Sequence, residues 1–298
     1  LTTASHTAYL KIAEGCDRKC TYCIIPQLRG NLRSRTIEDI LKEANKLVAS
    51  GVRELNLLAQ ETTEYGIDLY KEKSLARLMK ELVKIDGLKW LRTYYMFPDS
   101  LTDELIDVMK TEEKICKYFD IPVQHISDNI LQQMGRAKSG NHIKGILNRI
   151  RKEIPDAVIR TAVIVGFPGE TEEDFLDTLD VVKRIQFENS FMFMYSIRQG
   201  TKAADMDNQI DSEVKKERLQ RLIEVQNSCS LAESETYRGK IVRILVEGES
   251  KKNKDVLTGR TSTNKIVLFK GDKSLEGTFV NVKINDCKTW TLYGDIVD

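Results

Sequence analysis

Three cysteines lie within eight residues near the beginning of the chain: Cys16, Cys20 and Cys23, in the segment EGCDRKCTYC. Three thiolates on one short loop can bind three irons of a cubane iron–sulfur cluster and leave the fourth iron open. A structural zinc site needs four closed ligands, and no fourth cysteine or histidine is near in sequence. A zinc knuckle or three unrelated thiols are the alternatives. The spacing favours a cluster whose open position takes a substrate or cofactor.

The other three cysteines, Cys116, Cys229 and Cys287, are scattered and stand in or beside apolar patterns. We interpret them as core thiols. This distribution argues against a disulfide framework and favours metal chemistry in a reducing compartment, so the cytoplasm is the expected location.

The elements that must position the cysteine loop alternate between strands and helices. Short apolar runs typical of strands occupy residues 9–12, 54–59, 91–96, 118–123, 158–165 and 191–195. Amphipathic stretches between them, such as 36–50 and 172–185, have apolar residues at helical spacing. Repeated strand–helix units imply a parallel sheet with right-handed crossovers. Six units are too few for a full eight-unit barrel. The prediction is therefore an α/β fold, an incomplete (β/α)6 TIM-like barrel with its active site at the carboxyl ends of the strands.

The last third of the sequence has a different pattern. Residues 212–236 read as one long polar helix, and five short strand patterns follow. They predict a small antiparallel β-barrel of OB-like size. The expected domains are 1–211 for the large barrel, 212–236 for a connecting helix and 237–298 for the small barrel.

The composition excludes several classes of protein. Lysine and arginine number 46 and aspartate and glutamate 45, so the net charge is +1. This balance argues against a protein whose whole surface binds nucleic acid, although it permits a local basic patch. A hydrophobic fraction of 41% is too high for a mainly disordered chain. The apolar runs are far shorter than the roughly 18 residues needed to span a membrane.

The cysteine spacing, Tyr22 before the last cysteine and the six βα units resemble the radical S-adenosylmethionine superfamily. The resemblance implies a [4Fe-4S] cluster on Cys16, Cys20 and Cys23, with S-adenosylmethionine chelating the open iron. It also implies one-electron cleavage of that cofactor to a 5′-deoxyadenosyl radical, which abstracts hydrogen from the substrate. Tyr22 is expected in the cofactor site. A docking protein with a purely structural cluster, or another radical enzyme such as a methylase or lyase, is the alternative.

More of the chain is similar to a narrower group, the methylthiotransferases. The matching segments are 14–35, 162–175 and 195–206, and the C-terminal domain with GRTSTNK (259–265) resembles a TRAM domain. The resemblance implies an N-terminal domain with a second [4Fe-4S] cluster. Because this chain begins at Leu1 without that domain, we expect a fragment that does not complete methylthiolation. A flavodoxin or ferredoxin is the expected reductant, and a monomer is the default.

Two acceptors compete within this group. LAQETTEYGIDLY (58–70), YMFPDSLTDELI (95–106) and DIPVQHISDNIL (120–131) resemble the type that modifies the β-carbon of an aspartate in a small-subunit ribosomal protein. Arg198 with Gln199, and GRTSTNK, lean toward the type that modifies a tRNA adenosine. The barrel motifs carry more weight because they line the active-site mouth. The ribosomal protein is therefore the predicted partner, and tRNA is the alternative.

Five further residues are candidates for binding S-adenosylmethionine. Gln60 and Gln124 end strands at the barrel mouth, where an amide can bind the cofactor or simply face water. Arg160 lies within a strand, so its charge should point to the barrel interior or to a partner; a cofactor carboxylate or ribose is the predicted contact. Gly166 and Gly169 allow a close approach of the backbone to adenine, or merely form a turn.

Overall fold

The computed structural model describes residues 5–136, 139–251 and 253–297. The strands are β1 (Thr7–Lys11), β2 (Ala13–Glu14), β3 (Arg33–Ser34), β4 (Glu54–Leu58), β5 (Trp90–Thr93), β6 (Tyr118–Asp120), β7 (Val158–Val165), β8 (Asn189–Met194), β9 (Ile241–Glu249), β10 (Val256–Thr261), β11 (Ile266–Lys270), β12 (Phe279–Cys287) and β13 (Thr291–Val297). The helices are α1 (Ile25–Arg29), α2 (Ile37–Ala49), α3 (Ile67–Tyr70), α4 (Leu75–Leu82), α5 (Asp103–Thr111), α6 (Asp128–Gln133), α7 (Gly140–Glu153), α8 (Glu172–Ile185) and α9 (Ser212–Glu235).

Six parallel strands form the incomplete barrel that the sequence predicts. β1, β4 and β5 pair in that order, as do β6, β7 and β8. A parallel bridge between Leu91 and Ile115 joins the two halves. Within the described residues no pairing joins β8 to β1, so the barrel is open on that side. The carboxyl ends of the six strands are called the mouth below, and their amino ends the lower end.

Helix caps fix where the covering helices begin. The side chains of Thr36, Thr102 and Thr171 each accept a hydrogen bond from a backbone N–H in the first turn, at α2, α5 and α8. At α8 the Asp174 carboxylate also accepts from the Thr171 N–H, which completes a capping box. The apolar stripes of these helices pack on the outer face of the sheet and form the main core. No helix of the described residues is both long and apolar enough to cross a bilayer.

The helix α7 was not among the predicted elements. Its sequence, GNHIKGILNRIRKE, is strongly polar and contains two glycines, so its apolar spacing is sparse. Ile143, Leu147 and Ile150 nevertheless bury one stripe against the barrel. The packing of that stripe compensates for the weak helix propensity of glycine.

The five C-terminal strands close into a small barrel in the order β10-β11-β13-β12-β9. The prediction that this barrel is antiparallel is wrong for one pair, because β11 and β13 run parallel. The physical reason is parity. Strands that alternate in direction around a closed ring must be even in number, so a ring of five contains at least one parallel pair.

One loop of the small barrel closes the lower end of the large one. Residues 261–265, called the docking loop, follow β10 and reach the amino ends of the parallel strands. Arg92 of β5 donates to the carbonyls of Ser262, at 2.6 Å, and Thr261, at 3.4 Å. Lys265 places its Nζ 2.5 Å from the Glu188 carboxylate. The two barrels are therefore joined by buried polar contacts.

Candidate active site

The three cysteines of the motif lie on the loop between β2 and α1, directly after the first barrel strand. Gly15 precedes them with a φ of 82°, and a Cβ there would collide with the Asn31 carbonyl oxygen. The Gly15 N–H donates to Gln60 Oε1 at 2.7 Å. The Thr21 N–H donates to the Met134 carbonyl at 2.9 Å, at the end of α6. Contacts from β4 and α6 thus hold the loop over the mouth.

All three thiols line one cavity of about 470 Å³ at the mouth. Its walls come from residues within or just beyond every barrel strand but the first, so it lies where the parallel fold places a site. Gln60 follows β4, residues 95–97 follow β5, Gln124 follows β6, and Ala162 belongs to β7. Its described lining contains no fourth cysteine and no histidine.

The donor set fits an iron–sulfur cluster with three protein ligands. Burial raises the pKa of Cys16 to about 11 and also raises the pKa of Cys23. A bound cation has the opposite effect, because it stabilises the thiolate and so lowers the pKa of the thiol. Among the described residues, no three His, Cys, Asp or Glu side chains surround one point as a single metal ion requires. In a cubane cluster each thiolate binds a separate iron. The three thiols therefore suit a cubane and do not form a site for a single zinc ion.

Two arginines flank the Phe97 ring inside the cavity. The Cζ of Arg18 lies 4.0 Å from the ring centroid and that of Arg136 lies 4.2 Å from it. Arg18 is neutralised, since it donates to Glu64 Oε1 at 2.7 Å and lies 3.4 Å from Glu61 Oε2.

Arg136 has no such neutralisation. It is 6% exposed and donates to the Pro122 carbonyl at 2.6 Å and to the Tyr22 hydroxyl at 3.3 Å. Its Nε–H is buried without a hydrogen-bond partner, and no carboxylate pairs with it among the residues that the structure describes. A buried unpaired charge is costly, so this guanidinium is suited to bind an anionic group that enters the cavity.

The structure brings Tyr22, Gln60 and Gln124 to the cavity together with the cysteines. Gln60 is already engaged, because its Oε1 accepts from Gly15 and its Nε2 donates to Glu14 Oε1 at 3.1 Å. Through these two hydrogen bonds Gln60 holds the cysteine loop in place. Gln124 has a left-handed backbone with a φ of 67° and bonds to β7 through both its N–H and its carbonyl. Left-handed non-glycine residues are strained and cluster at functional sites.

Arg160, the predicted contact of a cofactor carboxylate or ribose, already has a carboxylate partner within the protein. It does not line the cavity, because its guanidinium forms a two-point pair with Asp120, at 2.8 and 2.5 Å. It borders a hollow of about 140 Å³ between the large barrel and the docking loop. Its carboxylate partner is thus part of the protein, and the charge in mid-strand is satisfied internally.

Gly166 and Gly169 also do not line the cavity. Both have left-handed backbones, with φ of 69° and 81°. A Cβ on Gly166 would collide with Lys215 of α9, and one on Gly169 with Asn208. These glycines form the turn after β7 and let α9 and its preceding segment pack closely.

Sequence reasoning missed the arginine that the geometry favours. Arg136 follows α6 in a loop with no motif of its own, and its contact with Tyr22 spans 114 residues. Arg18 stands between the first two cysteines and so lies within the motif itself, as one of its three charged residues. Phe191 and Phe193 were read as strand residues, but both line the cavity.

Residues 10–182 match the radical SAM superfamily, and residues 235–297 match the TRAM domain. A tRNA-2-methylthio-N(6)-dimethylallyladenosine synthase of Fusobacterium nucleatum is 51% identical over 99% of this chain and 68% of its own length. The ribosomal protein uS12 methylthiotransferase RimO of Clostridioides difficile is 47% identical over 100% of this chain and 68% of its own.

This chain belongs to the radical SAM methylthiotransferases. The chain spans between 60% and 69% of the length of the curated relatives it matches; a synthase of Acetivibrio thermocellus is covered over 60% and a RimO of Alkaliphilus oremlandii over 69%. Solved structures support the fold of the radical SAM domain. The coproporphyrinogen III oxidase HemN of Escherichia coli superposes with a TM-score of 0.56 at 15% identity, over 86% of this chain and 67% of that one. The methyltransferase TsrM of Kitasatospora setae gives 0.55 at 16%, over 66% and 38%.

Proposed function

We propose that this radical SAM methylthiotransferase chain binds a [4Fe-4S] cluster through Cys16, Cys20 and Cys23 and S-adenosylmethionine beside it. The single observation that carries the proposal is the cavity at the barrel mouth, which all three thiols line. Once bound, the cluster and cofactor supply the one-electron chemistry of the superfamily. The chain itself holds the cysteine loop, through Gln60 and Thr21, and buries the reacting groups in a largely apolar chamber.

Arg136 replaces Arg160 as the residue proposed to bind the cofactor carboxylate. Its guanidinium lies in the cavity, is buried and has no carboxylate partner among the described residues. Arginine presents parallel N–H donors that match a carboxylate. The hydroxyl of Tyr22 and the carbonyl of Pro122 orient the guanidinium, so the anionic end of the cofactor would enter a preformed position.

The acceptor is the finer part of the proposal, because both names occur among the relatives. The mouth motifs of the sequence favour the aspartate β-carbon of the small-subunit ribosomal protein. The charges of the cavity favour the alternative, a tRNA adenosine. With Arg136 assigned to the cofactor and Arg18 neutralised by Glu61 and Glu64, no described lining residue offers a free cation to an acidic acceptor. Reductant and monomeric state stay predictions.

The test is anaerobic reconstitution of the chain with iron and sulfide. We expect about four irons per chain, and formation of 5′-deoxyadenosine from S-adenosylmethionine after reduction with dithionite. Cys20→Ala should abolish both, because two thiolates remain for the cluster. Cys287→Ala is the matched control, since that thiol lies in the small-barrel core. A Cys20→Ala protein that still holds a full cubane would disprove the assignment.

A further inference from the structure

The strand β8 presents two large aromatic side chains to the cavity. Phe191 is 47% exposed and Phe193 is 53% exposed, and both line the cavity. Their ring centroids are 6.3 Å apart and their planes differ by 23°. Residues two apart on a strand share one face, so the two rings form a continuous apolar surface beside the open side of the barrel. Exposed apolar surfaces of this kind mark binding sites.

The surface is held in place from below. The guanidinium of Arg160 lies 4.7 Å from the Phe191 centroid, and the two-point pair with Asp120 fixes that guanidinium. Tyr95 adds a third exposed ring to the cavity wall, on a backbone with a φ of 57°. The Asp120 carboxylate accepts from the Tyr95 N–H at 3.0 Å and so supports this left-handed conformation. One carboxylate thus positions aromatic rings from both β5 and β8.

The electrostatics of the same cavity select a neutral occupant for this surface. Arg18 and Lys73 pair with the carboxylates of Glu61 and Glu64, so these four side chains leave no free cation at the cavity wall. Arg136 is assigned to the cofactor. An aspartate side chain would therefore meet aromatic carbon and no free cation, whereas an uncharged planar ring gains stacking contact. Single-stranded RNA is recognised in this way, by unstacked bases laid on aromatic side chains.

We propose that Phe191 and Phe193 are the stacking platform for an unpaired purine of an RNA loop, which is the acceptor at this site. The inference rests on the proposed function, because it assumes that the cavity is the reaction chamber. It assigns acceptor selection to β8 and the strained Tyr95, not to the docking loop, whose backbone and lysine are engaged with the large barrel.

The test measures binding of an RNA hairpin that has 2-aminopurine at one loop position, using the reconstituted chain with S-adenosylmethionine. We expect quenching of the 2-aminopurine fluorescence by the unmodified chain. The double variant Phe191→Leu with Phe193→Leu keeps apolar volume but removes the rings. It should bind the hairpin about tenfold or more weakly, with the quenching lost. Phe191→Tyr with Phe193→Tyr should restore both. Leu176→Ala, an exposed apolar change on α8, is the matched control.

Two results would contradict the proposal that these two rings bind an RNA base. One is unchanged hairpin affinity and quenching in the leucine double variant, checked as folded by its thermal transition. The other is tighter binding of a basic aspartate-containing peptide than of the hairpin, with the same dependence on both rings. Failure of the proposed function is seen separately, as absence of 5′-deoxyadenosine from the unmodified chain. Because hairpin quenching does not require cofactor cleavage, the two failures are distinguishable.

Discussion

The two ends of the large barrel bury arginines in opposite ways. At the lower end, Arg92 is 1% exposed and donates to Glu54 Oε1 at 3.1 and 2.9 Å as well as to the docking loop. At the mouth, Arg136 is nearly as buried but has only a carbonyl and a phenol as partners, and one N–H remains unpaired. The charge of Arg92 is neutralised within the protein, whereas the charge of Arg136 is available to bind an anion.

This difference separates a structural charge from a binding charge without reference to sequence motifs. Burial alone does not distinguish them, and neither does residue type. The two kinds differ in their partner: the structural arginine has a carboxylate from the protein itself, and the binding arginine has none. The three predictions that follow either strengthen this contrast or remove it.

The largest expected effect is at the lower end. Arg92→Leu leaves the Glu54 carboxylate buried without its partner, and we expect a loss of about 3–5 kcal/mol in the free energy of unfolding. Urea unfolding measures it. The double variant Arg92→Met with Glu54→Gln removes both charges and should recover much of that loss. A single variant that unfolds like the unmodified chain would show that the lower arginine is not structural.

At the mouth, Arg136→Met should leave the free energy of unfolding nearly unchanged, because it removes a buried charge that no carboxylate of the described residues neutralises. The dissociation constant for S-adenosylmethionine should rise about 10- to 100-fold, the cost of lost hydrogen bonds to a charged group. Equilibrium dialysis with reconstituted protein measures it. Arg184→Met on the outer face of α8 is the control. If Arg136→Met and Arg92→Leu lowered the free energy of unfolding equally, both arginines would be structural and the proposed difference between the two ends would be wrong.

The smallest effect concerns Glu188, beside the docking loop. Burial raises its pKa to about 7, and the neighbouring Glu233 adds to the rise while Lys265 opposes it. The folded state therefore holds a proton that the unfolded chain, near the ordinary value of 4.5, has released. The contribution of this group to stability is complete below pH 4.5 and is lost as the pH rises through 7.

Thermal unfolding between pH 5 and pH 8 checks this sign. Glu188→Gln cannot ionise, so its transition temperature should decline less over that range than that of the unmodified chain. Identical pH profiles would mean that Lys265 holds the carboxylate ionised throughout.

The parts of this molecule that the sequence predicted are those set by short stretches of chain. The cysteine loop needs only eight residues, and each barrel strand is a short apolar run between turn signals. The helix predicted over 172–185 begins where Thr171 and Asp174 form a capping box within one helical turn. Local physics alone determines each of these features, so one sequence suffices to find them.

The sequence does not determine the contacts that depend on depth within the barrel or on residues distant in the chain. A charge in mid-strand can face upward to the cavity or downward to the docking loop, and the pattern around Arg160 does not say which. Gly166 and Gly169 are small because Lys215 and Asn208 approach them from nearly 40 residues away or more. Arg136 stands in a loop, and only the folded barrel brings it beside Tyr22.

The order of strands in the small barrel has a consequence for the timing of synthesis. β13 pairs with both β11 and β12, so it is the strand that closes the ring. Until the ribosome has released residues 291–297, β11 and β12 each expose an unpaired edge and the small barrel cannot form as a closed unit. Since the docking loop lies between β10 and β11, the contacts of Arg92 and Glu188 that join the two barrels depend on the folding of the small barrel.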